Sequence, residues 1–373
     1  MKGYFRTNGV AYQRPPTAGI IGSGIVRIPP LEPAPRPKAA FADAHARDIA
    51  IHSRRRTWAE IFHAVLPHEW IFGTFLLLTG LRLFVHGGAA QWWSLVFFGC
   101  LAAGIGLCFW AEPAPTPFRW RVRLLFYPAA MGISFYAMGN AIPLLGIPPV
   151  DGLLIQWDRA LVGQTPSIAW EPLLRPWLED AAMAGYLFFF YYLIAGPGHY
   201  CIQNLRLFRK CIVGLFTMYG LAFMGYTVLP AGGPHIYLTF KTPLHGPWLL
   251  DWTMKTVNLG SNGLDVFPSV HLAASLYLLL FDWRHWRRRF WWVLLPCAVL
   301  WFSTMYLRFH YLVDLLAAAV LAVASWGMAE MYDATANDLP ASETKSDSGS
   351  FLSSFLKKRE EKKKHALWNV NLF

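Results

Sequence analysis

The chain alternates long apolar stretches with short segments that are rich in charge. Eight apolar segments lie between two polar ends, at about 70–86, 91–110, 124–145, 181–197, 211–229, 270–282, 290–307 and 311–330. An α-helix needs about 20 apolar residues to cross the hydrocarbon core of a bilayer, and most of these segments approach that length. The pattern predicts an all-α fold: a polytopic integral membrane helix bundle with about eight transmembrane helices.

The polar segments divide the chain further. Residues 1–60 are rich in Pro and basic residues and follow no regular period, which predicts a disordered cytoplasmic tail. Residues 61–123 hold two accessory transmembrane helices, residues 124–332 a six-helix core, and residues 333–373 a second polar, Lys-rich cytoplasmic tail. Within the core, residues 150–179 are too charged to span, so they predict interfacial helices with Asp158 and Arg159 at the lipid headgroups.

Composition and charge placement narrow the class of protein. The chain is 55% hydrophobic and only 15% charged, with a formal net charge of +11. The basic residues cluster between apolar segments, as orientation signals do, so we expect membrane lipids and no nucleic acid as partners. The five cysteines show no CxxC spacing, and neither a disulfide framework nor a zinc site is expected.

The basic clusters also predict the orientation. They precede the third, fifth and seventh apolar segments, at Arg119, Arg121 and Arg123, at Arg206, Arg209 and Lys210, and at Arg284 and Arg287–Arg289. Eight spans place these clusters on one side, which is the cytoplasm by the positive-inside rule. We expect an integral membrane protein, in the cell inner membrane if bacterial or in the Golgi or a related endomembrane if eukaryotic.

Two short motifs carry candidate chemistry, and both fall on the extracytoplasmic or lumenal side. In RFHYLVDLL, a helix beginning near Phe309 would place His310 and Asp314 on one face. The carboxylate could then accept the Nδ1–H of the imidazole and leave Nε2 as a nucleophile or base. An interfacial histidine beside a capping aspartate has the same pattern, although ionisable groups at membrane depth are costly and usually functional.

The second motif, FPSVHLAAS, lies about 40 residues earlier. Ser269 is a strong N-cap residue, so a helix should begin there with His271 in its first turn. Free N–H groups and the helix dipole make such a helix start an anion site. Asp265, just before it, either tunes His271 or closes a turn.

Together these residues resemble the type 2 phosphatidic acid phosphatase superfamily over roughly residues 124–330. Its PSGH motif stands here as Pro268-Ser269-Val270-His271, and its third motif as Ser303, Thr304, His310 and Asp314. Thr304 replaces the motif arginine, while Arg308 lies two residues before the histidine. The first motif is replaced by TVLPAGGPHIYL, so the pattern is most similar to the branch of inositol phosphorylceramide synthases (inositolphosphotransferases) and their bacterial relatives.

The resemblance implies a six-helix phosphatase-like catalytic core and a role for each matched residue. His310 would attack phosphorus and form a phosphohistidine, Asp314 would hold its ring, and His271 would protonate the leaving group. Phosphate-binding groups would be Arg308 and Ser269, with His235 or Lys241 replacing the missing first-motif charge. The substrate would be a phospholipid or a polyprenyl or sphingolipid phosphate, with no cofactor and no metal. Whether water or an alcohol is the acceptor stays open, as does the oligomeric state.

Two other functions remain as alternatives. A transporter or channel could use a His-Asp proton relay, but it would predict inverted repeats with broken helices, and the sequence shows no such symmetry. A catalytically inactive scaffold of the same fold is conceivable because of Thr304, although both histidines and the aspartate are retained.

Overall fold

In the computed structural model, residues 65–335 are described except for 89, 90, 114, 261 and 262. The two predicted tails, 1–60 and most of 333–373, lie outside the described residues. The described residues form twelve α-helices: Pro67–Gly87 (α1), Trp92–Ala111 (α2), Pro117–Leu144 (α3), Asp151–Val162 (α4), Pro166–Ala169 (α5), Pro176–Gln203 (α6), Leu205–Val228 (α7), Pro234–Tyr237 (α8), Leu249–Gly260 (α9), Val270–His285 (α10), Arg287–Tyr306 (α11) and Leu312–Thr335 (α12).

Eight long helices coincide with the eight apolar segments, which confirms the predicted all-α membrane fold. They are α1, α2, α3, α6, α7, α10, α11 and α12. Five of the described helices, α1, α2, α6, α7 and α12, are long and apolar enough to cross a membrane. The other three fall outside this group, α10 because it has only 16 residues.

The segment between α3 and α6 is helical, as predicted, but one of its charged residues lies in a different environment from the predicted one. Residues 150–179 form α4, the single turn α5 and a 3-10 turn at Glu171–Leu173 before α6 begins. Asp158 is fully buried, so its predicted position at the lipid headgroups is wrong, whereas Arg159 is exposed. The buried face of α4 carries Asp151, Leu154 and Asp158 and packs near the start of α12.

Helix α7 lies at the centre of the bundle and is the most buried of the five candidate spans. It packs against α1, α3, α6, α10 and α12. Phe72 of α1 stacks edge-on against Phe216 of α7 at a centroid distance of 6.1 Å. The two predicted accessory helices therefore contribute to the core: α1 packs directly on α7, and α2 packs on α1 and α3.

The basic clusters lie at one end of these helices and are largely paired. Lys210 of α7 bonds Glu330 near the end of α12 at 2.7 Å. Arg289 at the start of α11 pairs with Asp282 at the end of α10. Because α10 and α12 both run from the other end of the bundle, their first turns lie far from these ion pairs, and that opposite end holds the candidate site.

Candidate active site

The first turns of α10 and α12 lie next to each other. Ser269 is the N-cap of α10, as the sequence predicts, and its Oγ accepts a hydrogen bond from Leu272 N–H at 3.4 Å. The Ser269 N–H donates to the Asp314 carbonyl at 3.3 Å, which joins the two helix starts directly. This contact brings together the two motifs that the chain separates.

His271, His310 and Asp314 form one continuous line of polar contacts. His310 Nδ1 lies 3.3 Å from Asp314 Oδ2, and His310 Nε2 lies 3.4 Å from His271 Nδ1. His310 and Asp314 are buried, and His271 is partly buried. An aspartate on one ring nitrogen leaves the other nitrogen of His310 facing the second histidine.

The contact between His310 and Asp314 arises differently from the prediction. Helix α12 begins at Leu312, not near Phe309, so His310 lies in the turn that precedes it. Asp314 is the third helical residue, and its Oδ2 accepts the Tyr311 N–H at 2.8 Å, in the manner of a capping box. The carboxylate therefore turns back towards the residues before the helix, and this brings it to the imidazole.

The turn that carries His310 is fixed to the end of α11. The N–H groups of Phe309 and His310 both donate to the Thr304 carbonyl, at 2.9 and 3.0 Å. The Thr304 hydroxyl donates to Trp301 O at 2.8 Å, within its own helix. Thr304 thus acts through its backbone here, and its side chain does not take the place of the motif arginine.

Burial controls the ionisation of His310. It lowers the pKa of the imidazole to about 4, while the charge of Asp265 and a hydrogen bond to the Val266 carbonyl act in the opposite direction. His310 is therefore neutral at neutral pH, as a nucleophile or base must be. Asp265 also forms an isolated parallel backbone bridge with Ala231.

Aromatic rings hold His271. Its ring packs on Tyr186 and Phe189 of α6, at centroid distances of 4.7 and 4.6 Å. Tyr186 also contacts Phe309, beside His310, at 4.9 Å. Tyr186 and Phe189 were not predicted as site residues, and their signal in the sequence is their place in the aromatic run GYLFFFYYL.

Arg308 is near the site in the chain, but its guanidinium points elsewhere. Its Nη2 donates to the Thr242 carbonyl at 2.6 Å and lies 3.8 Å from Glu171 Oε1, and its guanidinium covers the ring of Phe240. Its Nε is buried and has no hydrogen-bond partner. The backbone adopts φ 68°, a region that residues other than glycine rarely occupy.

The remaining predicted phosphate-binding residues lie around the mouth of the site. His235 is exposed, its N–H donates to the Arg308 carbonyl at 3.0 Å, and its ring lies 6.0 Å from that of Phe309. Lys241 is exposed in the loop that binds Arg308. The structure brings His271, His310, Asp314 and Ser269 together, but it shows no contact of Arg308 or Lys241 with the two imidazoles.

Two buried carboxylates of α4 were also missed as site residues. Asp151 accepts hydrogen bonds from Gly232 N–H, Gly233 N–H and the Tyr311 hydroxyl, at 2.9, 2.8 and 2.9 Å. Asp158 accepts from the N–H groups of Leu312 and Val313 at 3.3 and 3.1 Å. Their spacing of seven residues on an amphipathic segment was the available signal, but charge on such a segment favoured a headgroup position.

Among the residues that the structure describes, no three or more His, Cys, Asp or Glu side chains are arranged to hold a metal ion. The site instead offers a neutral imidazole, a second histidine and a carboxylate, with the start of α10 beside them. Such a set can supply a nucleophile, an acid or base and an orienting group.

A helical bundle with membrane-crossing helices and a buried His-His-Asp line at one end defines an integral membrane protein with a candidate nucleophilic site. Residues 153–328 match the family model described as PAP2 superfamily, a range that contains all three of these residues. The match supports assignment to this superfamily, whose members are generally phosphatases or phosphotransferases acting on phosphate esters. Comparisons with curated proteins and with solved structures give no significant match.

Proposed function

We propose that this protein is a metal-independent phosphotransferase or phosphatase that acts on a lipid phosphate ester through a phosphohistidine at His310. The observation that carries the proposal is the line from Asp314 through His310 to His271, with contacts of 3.3 and 3.4 Å, inside the range of the family match. These residues come from two separate motifs. They line up only because the starts of α10 and α12 pack against each other.

In the proposed reaction, Nε2 of His310 attacks phosphorus and the ester P–O bond breaks. The departing alkoxide takes a proton from His271, which enters this step as imidazolium, and Asp314 stabilises the positive charge that develops on the His310 ring. Water or an alcohol then attacks the phosphohistidine, gives its proton to His271 and releases His310. Hydrolysis and transfer therefore share the first half of the reaction.

The contact between the two imidazoles requires a movement when substrate binds. An in-line attack places phosphorus roughly 3 Å from the nucleophile with the leaving oxygen on the far side. His271 Nδ1 already lies 3.4 Å from His310 Nε2, so a phosphoryl group has to displace this contact. We infer that the His271 ring turns between the rings of Tyr186 and Phe189, which it contacts at tilted angles of 37° and 56°.

Positive groups near the site can bind the phosphoryl oxygens. Arg308 has a buried Nε–H without a partner, and its Nη2 is held by one carbonyl and a distant carboxylate. An anionic headgroup could compete with these contacts and draw the guanidinium towards the substrate. Lys241 and His235 lie exposed on the same side, in the place of the missing first motif.

A lipid substrate fits the position of the site. It lies at one end of the bundle, on the side where two tryptophans are exposed: Trp248, just before α9, at 81%, and Trp252, within α9, at 73%. Tryptophan is enriched at membrane–water interfaces, where lipid phosphates also lie. We therefore propose a phospholipid or a polyprenyl or sphingolipid phosphate as the substrate, and transfer of an inositol-phosphate-type headgroup as the narrower form of this function.

The test uses the purified full-length protein in detergent with a panel of phospholipids and a polyprenyl phosphate, with and without inositol and ceramide. Released phosphate and newly formed lipid are both measured, and each assay is repeated with EDTA. We expect His310→Ala to abolish turnover. His199→Ala, a histidine that packs on Trp286 at the opposite end of the bundle, should retain it.

Full activity in the His310→Ala protein would refute the phosphohistidine mechanism. Loss of activity with EDTA, restored by Mg²⁺ or Zn²⁺, would contradict metal independence. Failure of the unsubstituted protein to consume any ester would favour the transporter or the inactive scaffold.

A further inference from the structure

Helix α4 carries two acidic side chains on one face. Asp151 and Asp158 are seven residues apart, which is close to two turns of an α-helix, and both are fully buried. A carboxylate is rarely buried unless its oxygens are hydrogen-bonded. The partners of these two carboxylates therefore show what they hold in place.

Asp151 joins two segments that flank His310. Its Oδ2 accepts the Gly232 N–H, and its Oδ1 accepts both the Gly233 N–H and the Tyr311 hydroxyl. One side chain thus binds the loop before α8 and the residue that follows His310.

Asp158 caps α12 from outside that helix. The first N–H groups of a helix have no partner within it, and those of Leu312 and Val313 donate to Oδ2 and Oδ1 of Asp158. The N–H of Tyr311 is taken by Asp314. Three successive N–H groups after His310 are therefore each held by a carboxylate.

We propose that Asp151 and Asp158 are positioning residues that fix the Arg308–Tyr311 turn so that His310 meets Asp314 and His271. The inference rests on the proposed function, because it assigns these carboxylates to the same reaction. They touch no reacting atom; they act through Tyr311 and through the start of α12.

The test replaces each carboxylate with its amide. In Asp158→Asn only one oxygen remains for two N–H donors, and in Asp151→Asn an NH₂ group faces a donor. Each substitution should lower kcat roughly 10- to 100-fold, because a small displacement of a nucleophile is costly. KM should stay within about twofold, since the residues do not bind substrate.

Asp180→Asn is the matched control. Asp180 is a partly buried carboxylate at the same end of the bundle, and it accepts the N–H groups of Trp248, Leu249 and Leu250 at the start of α9. It should leave kcat within about twofold of the unsubstituted protein. An equal loss of kcat in the control would overturn the specific role of α4.

Tyr311→Phe provides a milder variant that removes one hydroxyl. It should lower kcat in the same direction as Asp151→Asn, and the double variant should lose little more than the stronger single one, because both remove the same hydrogen bond. Full additivity, or an unchanged kcat in Tyr311→Phe and both amide variants, would overturn the inference.

Amide hydrogen exchange separates this inference from the proposed function because it needs no substrate. Exchange in a peptide that covers residues 308–316 should rise about tenfold in Asp158→Asn and stay unchanged in Asp180→Asn. Unchanged exchange in Asp158→Asn would refute the positioning role whatever the activity. Raised exchange in a protein that is inactive on every ester would support the positioning of the turn and refute the proposed reaction.

Discussion

The two carboxylate oxygens of Asp314 differ in their hydrogen-bond partners. Its Oδ2 accepts the Tyr311 N–H and faces His310 Nδ1, while its buried Oδ1 has no hydrogen-bond partner. The same atom thus caps the helix and orients the imidazole. A substitution that keeps the size of the side chain but changes its hydrogen bonding can separate these effects from packing.

We predict that Asp314→Asn lowers kcat by roughly 10²- to 10⁴-fold, because a neutral amide cannot stabilise the positive charge that develops on the His310 ring. The thermal midpoint of unfolding should change little compared with this loss, since the amide oxygen can still accept the Tyr311 N–H. Kinetics and thermal unfolding of the same preparation test the prediction. An active Asp314→Asn protein would show that the orientation of His310 does not depend on this carboxylate.

The low pKa of His310 predicts the pH dependence of the reaction. An ordinary histidine is half protonated near pH 6.5, whereas burial lowers the pKa of His310 to about 4. The neutral, nucleophilic form therefore persists as the pH falls, and kcat/KM should not decrease between about pH 7 and about pH 5.

A phosphodiester substrate is required for this measurement, because its charge is constant over the range. A decrease of kcat/KM with a midpoint near the ordinary histidine pKa would contradict a buried, neutral His310.

At the scale of elements, the site depends on a close approach between a loop and a turn. Gly233 has φ +90°, and a Cβ built on it would lie 2.6 Å from the Phe309 carbonyl oxygen. The loop can therefore pack against the turn before His310 only if this position is glycine. Gly163, after α4, also has a positive φ of +84° but has open space around it.

Gly163 and Gly233 both have a positive φ, but only Gly233 has a close neighbour, so the same substitution at each position separates backbone strain from the contact with Phe309. Gly163→Ala should cost about 1–3 kcal/mol of stability from backbone strain alone and leave kcat nearly unchanged. Gly233→Ala adds the clash with Phe309, so it should lower both the unfolding midpoint and kcat. Thermal unfolding and turnover of both variants check this, and equal effects would show that the contact with Phe309 is unimportant.

At the scale of the whole molecule, the arrangement of charge predicts on which side of the membrane the site lies. The paired basic clusters lie at one end of the described helices, and the His-His-Asp line lies at the other end. By the positive-inside rule the basic end is expected to face the cytoplasm. The site would then be extracytoplasmic or lumenal.

Cysteine labelling tests this orientation. Pro243→Cys, in the exposed loop before α9, should react with a membrane-impermeant thiol reagent from outside, and Arg288→Cys should react only after the membrane is opened. The loop glycine Gly246 is unsuitable, because a Cβ there would lie 2.5 Å from Asp180 Oδ1. The unsubstituted protein is the control for its own cysteines, of which Cys201 is partly exposed.

The reverse labelling pattern would place the site in the cytoplasm, and an intracellular phosphate donor would then be the better proposal.

The sequence by itself determined the eight helices, the N-cap at Ser269 and the pairing of His310 with Asp314. These features depend on local hydrophobic length and on short-range spacing, both of which can be read along one segment. The pairing of His310 with Asp314 was predicted on a helix face, whereas it forms through the capping turn before α12. The family resemblance, supported by the match over residues 153–328, also depended on short local motifs.

Only the tertiary structure decided which groups surround these residues. The contact of His271 with His310 joins two helix starts, and the carboxylates of α4 reach across to α12. Charge on an amphipathic segment favours the membrane surface, so the burial of Asp158 could not be foreseen without its N–H partners. The family resemblance implied a phosphate-binding role for Arg308, but in the structure its guanidinium binds the Thr242 carbonyl in a loop that the sequence could not position.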